Sequence, residues 1–150
     1  AICNSFKQEI LVGTHNFTNG TNTFKLALYS SDSATLSKST TAYTAPADGT
    51  ADPTNTYEVT STSSGYTTGG NSLTSVTPVL SGDTACCKFS DTSWGSTASF
   101  TARGCLIYNS SASNKAVCAI NFGSDKTVTS GTFTIQFPAQ TAGNAIIQIA

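Results

Sequence analysis

Between Ala98 and Phe137 the chain alternates apolar and polar residues in three successive runs, the pattern that most limits what it can fold into. In the first run Phe100, Ala102, Leu106 and Tyr108 fall on one face, and Thr101, Arg103 and Ile107 on the other. In the second, Ala116, Cys118, Ile120 and Phe122 alternate with Val117, Ala119 and Asn121. In the third, Phe133, Ile135 and Phe137 alternate with Thr132, Thr134 and Gln136. Successive side chains of a strand point to opposite sides, so a period of two predicts strands with one buried face. The stretches between them, Asn109–Lys115 and Gly123–Gly131, are rich in Ser, Asn, Asp and Gly and read as turns. Together they predict a three-stranded β-meander onto which the rest of the chain must pack.

The remaining segments extend the same pattern. Thr23–Ser30 sets Phe24, Leu26 and Leu28 against Lys25, Ala27 and Tyr29. Tyr57–Thr60, Thr84–Phe89 and Asn144–Ala150 read as further strands, and Ser72–Leu80 as one restricted by Pro78 to an edge or a bulge. A hydrophobic strand such as 144–150 must be paired, or it is a sticky edge. Asn4–Gly13 is the one helical stretch. Ser5 and Gln8 have the spacing of a capping box, Phe6, Ile10 and Leu11 share a face, and Gly13 supplies the stop. Ser31–Asn55, with Pro46 and Pro53, is a long polar loop, the kind that often carries contacts. Ser61–Asn71 around Tyr66 reads as a second loop, and Trp94 as part of a third. The expectation is a single all-β domain over residues 1–150. It is a sandwich or jelly-roll-like barrel of seven or eight strands with a short N-terminal helix.

Composition narrows the function. Only 10% of the 150 residues are charged, against roughly 25% in ordinary soluble domains. About a third are Ser or Thr. Such a surface repels its neighbours weakly and suits a chain packed in an assembly, or an exposed Thr-rich sandwich. The net charge of −1 and the scattered basic residues argue against nucleic acid. No apolar run approaches a membrane span, and no signal-peptide pattern opens the chain. The absence of Met fits either a removed initiator or a mature secreted product. Five cysteines cannot all pair within the chain. Cys87 and Cys118 sit where small apolar residues belong, so the balance favours buried free thiols, with Cys3 the best candidate for exposure.

Candidate chemistry is sparse. His15 stands in a turn with no nucleophile at a telling spacing and reads as a solvated loop residue. Asp48 and Asp52 share a loop but lack the alternating acids of a calcium site. Gly69, Gly70 and Gly123 do not sit between a strand and a helix, so they build no phosphate cradle. Asn16, Asn19 and Asn109 head glycosylation sequons of the sort chance supplies in so Asn- and Thr-rich a chain. Tyr43, Tyr57, Tyr66 and Trp94 lie in or beside polar segments, as sugar-stacking or protein-contact aromatics do, or else they plug a sandwich end. Arg103 beside Gly104 reads as a paired charge at a bulge or as a subunit contact. The expectation is no catalytic, metal-binding or cofactor-binding residue.

Several runs resemble a family of small virion structural proteins of tailed, often aquatic, bacteriophages. They are NSFKQEILVGTHNF with NTFKLALY, EVTSTSSGYTTGGNSL, FTARGCLIYN with NKAVCAINFGSDK, and the closing GTFTIQFPAQTAGNAIIQIA. The resemblance runs over nearly the whole chain and departs at the cysteines, where relatives carry plain apolar residues. It implies a non-enzymatic role in the virion, most simply a capsid decoration (cement) protein at the capsid surface. Such a protein would form a homo-oligomer and contact the major capsid protein or other virion proteins, with the N-terminal segment and Ser31–Asn55 as contact arms. A tail or fibre component is the alternative within the virion. A carbohydrate-binding module using Tyr43, Tyr66 or Trp94 is the alternative outside it.

Overall fold

In a computed structural model, which describes residues 1–30, 36–44, 57–61 and 64–150, the chain forms two antiparallel sheets and one helix. Helix α1 spans Asn4–Leu11, and the strands are β1 Phe24–Tyr29, β2 Asn71–Leu73, β3 Ser75–Ser81, β4 Thr84–Phe89, β5 Thr92–Asn109, β6 Lys115–Ile135 and β7 Ile147–Ile149. The four-stranded sheet has the order β2-β1-β5-β6 and the three-stranded sheet β3-β4-β7. This is the all-β sandwich that the alternation predicts. Asp48 and Asp52 fall outside the described residues, as does most of the 31–55 loop.

The meander differs from expectation. Its second and third strands are one continuous strand, β6, which pairs with β5 as a single long hairpin. The segment 123–131, read as a turn, lies inside the ladder, where Thr127 pairs with Thr101 and Val128 with Phe100. Its turn-forming residues are used to bulge a strand instead. Gly123 (φ 79°) and Ser130 (φ 44°) take the left-handed region where the register slips. Between the pairs Gly104–Asn121 and Ala102–Lys126, β6 spends three more residues than β5, so it bends sharply. The connection after Asn109 is a true turn. A 3-10 segment, Ser110–Ala112, is followed by Ser113 and Asn114 at positive φ. Trp94, placed in a loop by its polar neighbours, is a buried strand residue of β5 opposite Phe133.

Alternation weakens at the centre of the sheet because both faces are covered. In β5 every residue from Gly104 to Asn109 is buried, and in β1 every residue except Lys25. On one face Phe24 packs against Phe89 of the second sheet with rings 5.5 Å apart, and Phe17 stacks on Phe24 at 4.4 Å. On the other face Tyr43 stacks on Tyr108 at 4.4 Å, so the 36–44 segment roofs the sheet. Each such aromatic pair contributes about 0.5–1.5 kcal/mol beyond its burial.

Pro78 stands on β3, an edge strand, at the irregularity between Val76 and Val79, as the missing amide hydrogen requires. The expected strand 72–80 splits at Thr74, passing from one sheet to the other. Tyr57–Thr60 contributes only a single bridge, Tyr29 to Glu58. Helix α1 starts two residues earlier than a capping box headed by Ser5 implies. Cys3 is the N-cap without a side-chain cap bond, and the Ser5 hydroxyl is buried without a partner. What fixes that end is tertiary: Cys3 N–H donates to Val117 O at 3.0 Å and Asn4 N–H to Lys38 O at 2.7 Å. Its other end is a Schellman motif. Thr14 N–H reaches Glu9 O and Gly13 N–H reaches Ile10 O, with Gly13 at φ 73°. Phe6 is buried and Ile10 half-buried, while Leu11 faces solvent.

Candidate functional site

Glu58 is the best-enclosed acid among the described residues, 7% exposed. Its Oε1 accepts from Tyr66 OH at 2.7 Å and from Gly69 N–H at 2.6 Å, and its Oε2 accepts from Tyr43 OH at 2.9 Å. Tyr108 OH donates to Gly69 O at 2.8 Å, which places a third tyrosine on the same loop. Burial pushes the carboxyl above the usual carboxylate range, against the opposing pull of those hydrogen bonds and of Lys25. Burial, then the Glu58 charge, pushes Tyr43, Tyr66 and Tyr108 up, so all three hydroxyls stay protonated as donors. Tyr66 OH also accepts from Leu28 N–H at 3.0 Å. The cluster therefore ties residues 43, 58, 66 and 69 to β1 and β5. With every oxygen engaged inward, it works as a staple.

His15, expected to be solvated, is buried at 7% exposure. Its Nε2 lies 2.8 Å from Glu9 Oε2, while Asn109 Nδ2 donates to Nδ1 at 3.1 Å. An amide donor at Nδ1 leaves the proton on Nε2, so the ring donates to Glu9. Lys115 Nζ donates to Glu9 Oε1 at 2.8 Å. The imidazole lies among Phe6, Phe17 and Phe24, with ring centroids between 5.0 and 6.5 Å away. This chain of contacts bolts α1 onto the β5–β6 hairpin. Desolvation works to raise Glu9, but the Lys115 and His15 bonds outweigh it and hold the carboxyl below its usual value. A depressed folded value means stability that is present above pH 4.5, the ordinary carboxyl value, and lost as pH falls through the folded one. Acid titration of wild type should therefore show destabilisation below that point, and Glu9→Gln should lose most of that acid slope. An unchanged slope in the variant would place the acid sensitivity elsewhere.

All five cysteines are buried free thiols, Cys3 included at 0% exposure, against the expectation that it is exposed. Residues 1–3 are not a loose end. They lie along β6, where Ala119 N–H donates to Ala1 O at 2.9 Å and Ile2 bridges Cys118. Burial pushes the Cys87 and Cys118 thiols up to about 12 and Cys105 well above its ordinary value, so none of these three is a ready thiolate. No cluster of three or more His, Cys, Asp or Glu among the described residues could hold a metal ion.

The other singled-out residues also find places. Tyr43, Tyr66 and Trp94 are buried and offer no stacking platform, whereas Tyr57 is half-buried. Trp94 plugs the sandwich against Tyr66, Phe100 and Phe133. Arg103 pairs with Asp125 at 3.2 Å beside the register shift at Gly104, a charge paired at a bulge. Asn109 is fully buried and useless as a glycan acceptor, while Asn16 and Asn19 are exposed.

Two of the open surfaces among the described residues are lined mainly by large apolar side chains. The first is a groove of about 300 Å³ between α1 and β7, where Ile2, Ile10, Leu11, Ile147 and Ile149 line it together with Phe6, Lys7 and Gln148. Leu11 is 85%, Val12 72% and Ile149 58% exposed, and β7 pairs only with β4, so its outer edge is free among the described residues. The sticky edge foreseen for 144–150 is thus half-managed. The second is an apolar cleft of about 500 Å³ inside the bend of β6. The sequence foresees the β7 edge but neither cavity, because each cavity depends on where a strand or helix is left uncovered. No helix among the described residues is long and apolar enough to cross a membrane. No protein-family model, curated protein or solved structure matches this chain.

Proposed function

We propose that this chain is a structural protein of a tailed-bacteriophage virion, a shell decoration subunit that bridges neighbours and the major capsid protein by surface burial. The observation that carries this reading is the patch at Leu11, Val12 and Ile149 beside the free edge of β7. Large aliphatic side chains left bare next to unpaired strand amides, on a surface poor in charge, suit a subunit contact. The resemblance of the sequence to virion structural proteins supports the same role. The N-terminal segment serves as a docked ledge that presents Leu11 and Val12, since residues 1–3 are hydrogen-bonded to β6.

Light scattering with and without reductant tests it. A closed oligomer insensitive to reductant is expected, because every thiol is buried. Leu11→Lys with Ile149→Lys should reduce the mass to that of one chain that still unfolds cooperatively, since both side chains are exposed in the single chain. A monomer at all concentrations that also fails to bind purified capsid shells would overturn the proposal.

A further inference from the structure

The cleft inside the bend of β6 has the composition of a ligand site. Phe122 and Phe133 both line it although they stand eleven positions apart, about 36 Å on a straight strand, so the bulged strand curls around it. Ile120, Phe122, Phe133 and Ile135 are each half-buried, shielded on one side and wet on the other. Cys105 lies against it from the opposite strand, with only 1% of its surface exposed. Its volume of about 500 Å³ lies within the ordinary range of small-molecule sites, about 300–1,000 Å³. Lys126 is the one charged residue in its lining. Its Nζ donates to Ser124 Oγ at 3.0 Å, and no carboxylate among the described residues pairs with it.

We propose that this cleft binds an anionic amphiphile, a medium-chain fatty carboxylate whose tail covers Phe122, Phe133 and Ile135 and whose head meets Lys126. Charge selects the head: an apolar trough whose single ionic group is an unpaired cation favours a carboxylate over an ammonium. The strand itself argues against an added peptide strand. β6 is an edge, but its register slips on both sides of Lys126, so an incoming strand finds no unbroken ladder there. The inference does not depend on the virion role, because no residue lines both this cleft and the α1–β7 groove.

Trp94 provides the readout. It is the single tryptophan, and it packs edge-on against Phe133 at 5.9 Å, so filling the cleft should shift its emission. Titration with decanoate below its micellar range should give a saturable shift, and nonyltrimethylammonium, with the same nine-carbon tail and opposite charge, should bind at least about tenfold more weakly. Lys126→Glu, a change at an exposed residue, should reverse that preference, while Lys38→Glu, outside the cleft, should leave it intact. Equal responses to both heads, or no saturable response by Trp94 emission and calorimetry together, would overturn the proposal. So would a concentration-dependent dimer that Lys126→Glu dissociates, since a second copy would then be the occupant.

Discussion

Replacing Glu58 by alanine should destabilise the fold by about 2–4 kcal/mol in urea unfolding at neutral pH, whereas Glu58→Gln should stay within about 1 kcal/mol of wild type. The difference lies in which hydrogen bonds survive. Alanine strands the hydroxyls of Tyr43 and Tyr66 and the amide of Gly69 in a closed site. Each stranded donor costs about 1–3 kcal/mol, and relief from burying a charge offsets part of the total. Glutamine keeps an acceptor for Tyr66 and Gly69 and can turn its amide toward the Tyr43 oxygen. The pH dependence provides a second check. The Glu58 carboxyl is raised in the folded state, so between the ordinary 4.5 and that raised value the folded chain holds more protons than the unfolded one. Its contribution to stability therefore falls as pH rises through that interval, opposite in sign to that of Glu9. Glu58→Gln should remove the falling component and leave the Glu9 acid slope. If Gln proved as damaging as Ala, the attraction between Glu58 and Lys25 would be the larger force, and the staple account would fail.

Gly70→Ala should be the more damaging change, with no cooperative unfolding transition and little soluble protein. A methyl group at residue 70 would sit 1.7 Å from the carbonyl oxygen of Leu26 and 2.8 Å from Cα of Ala27. Both are backbone atoms of β1, held between β2 and β5, and neither can rotate away. The residue also has φ 72°, which disfavours any side chain. Overlap of this depth lies beyond the roughly 4–5 kcal/mol that marks exceptional single substitutions, and total stabilities run about 5–15 kcal/mol. Gly82→Ala is the control. It has φ 61° with nothing within 4 Å, so only the conformational cost of about 1–2 kcal/mol should appear. A Gly70→Ala protein as stable as the Gly82→Ala protein would mean that the loop carrying residue 70 does not press on β1.

Much of the fold is legible in the chain because burial on one face writes a period of two. β1, β4 and the body of β5 lie where Phe24 to Tyr29, Thr84 to Phe89 and Phe100 to Tyr108 suggest. What escapes is whatever depends on distant partners. Gly123 to Gly131 has the composition of a turn, and only the pairing of Lys126 to Val128 with Phe100 to Ala102 turns it into strand. His15 carries no mark of burial, since its partners Glu9 and Asn109 come from a helix and from a strand ninety-four positions on. Glu58 stands in a strand-like run, and its three tyrosines are scattered from 43 to 108. Nothing in their spacing announces a common centre. The sequence warns of the 144–150 edge but not of the bare side chains beside it, because Leu11 and Ile149 look like core residues until the core is seen to end before them.

The docking of residues 1–3 onto β6 bears on how the protein is made. Cys3 N–H donates to the carbonyl oxygen of Val117, and Lys115 closes the salt bridge to Glu9. A ribosome adding about 5–20 residues per second needs about 6–23 s to travel from Cys3 to Ala119. For that time residues 1–3 wait with their partner strand still unwritten. Native closure of the sandwich is therefore a late event in translation, and the nascent chain must keep Phe6 and Ile10 from other surfaces until β6 arrives.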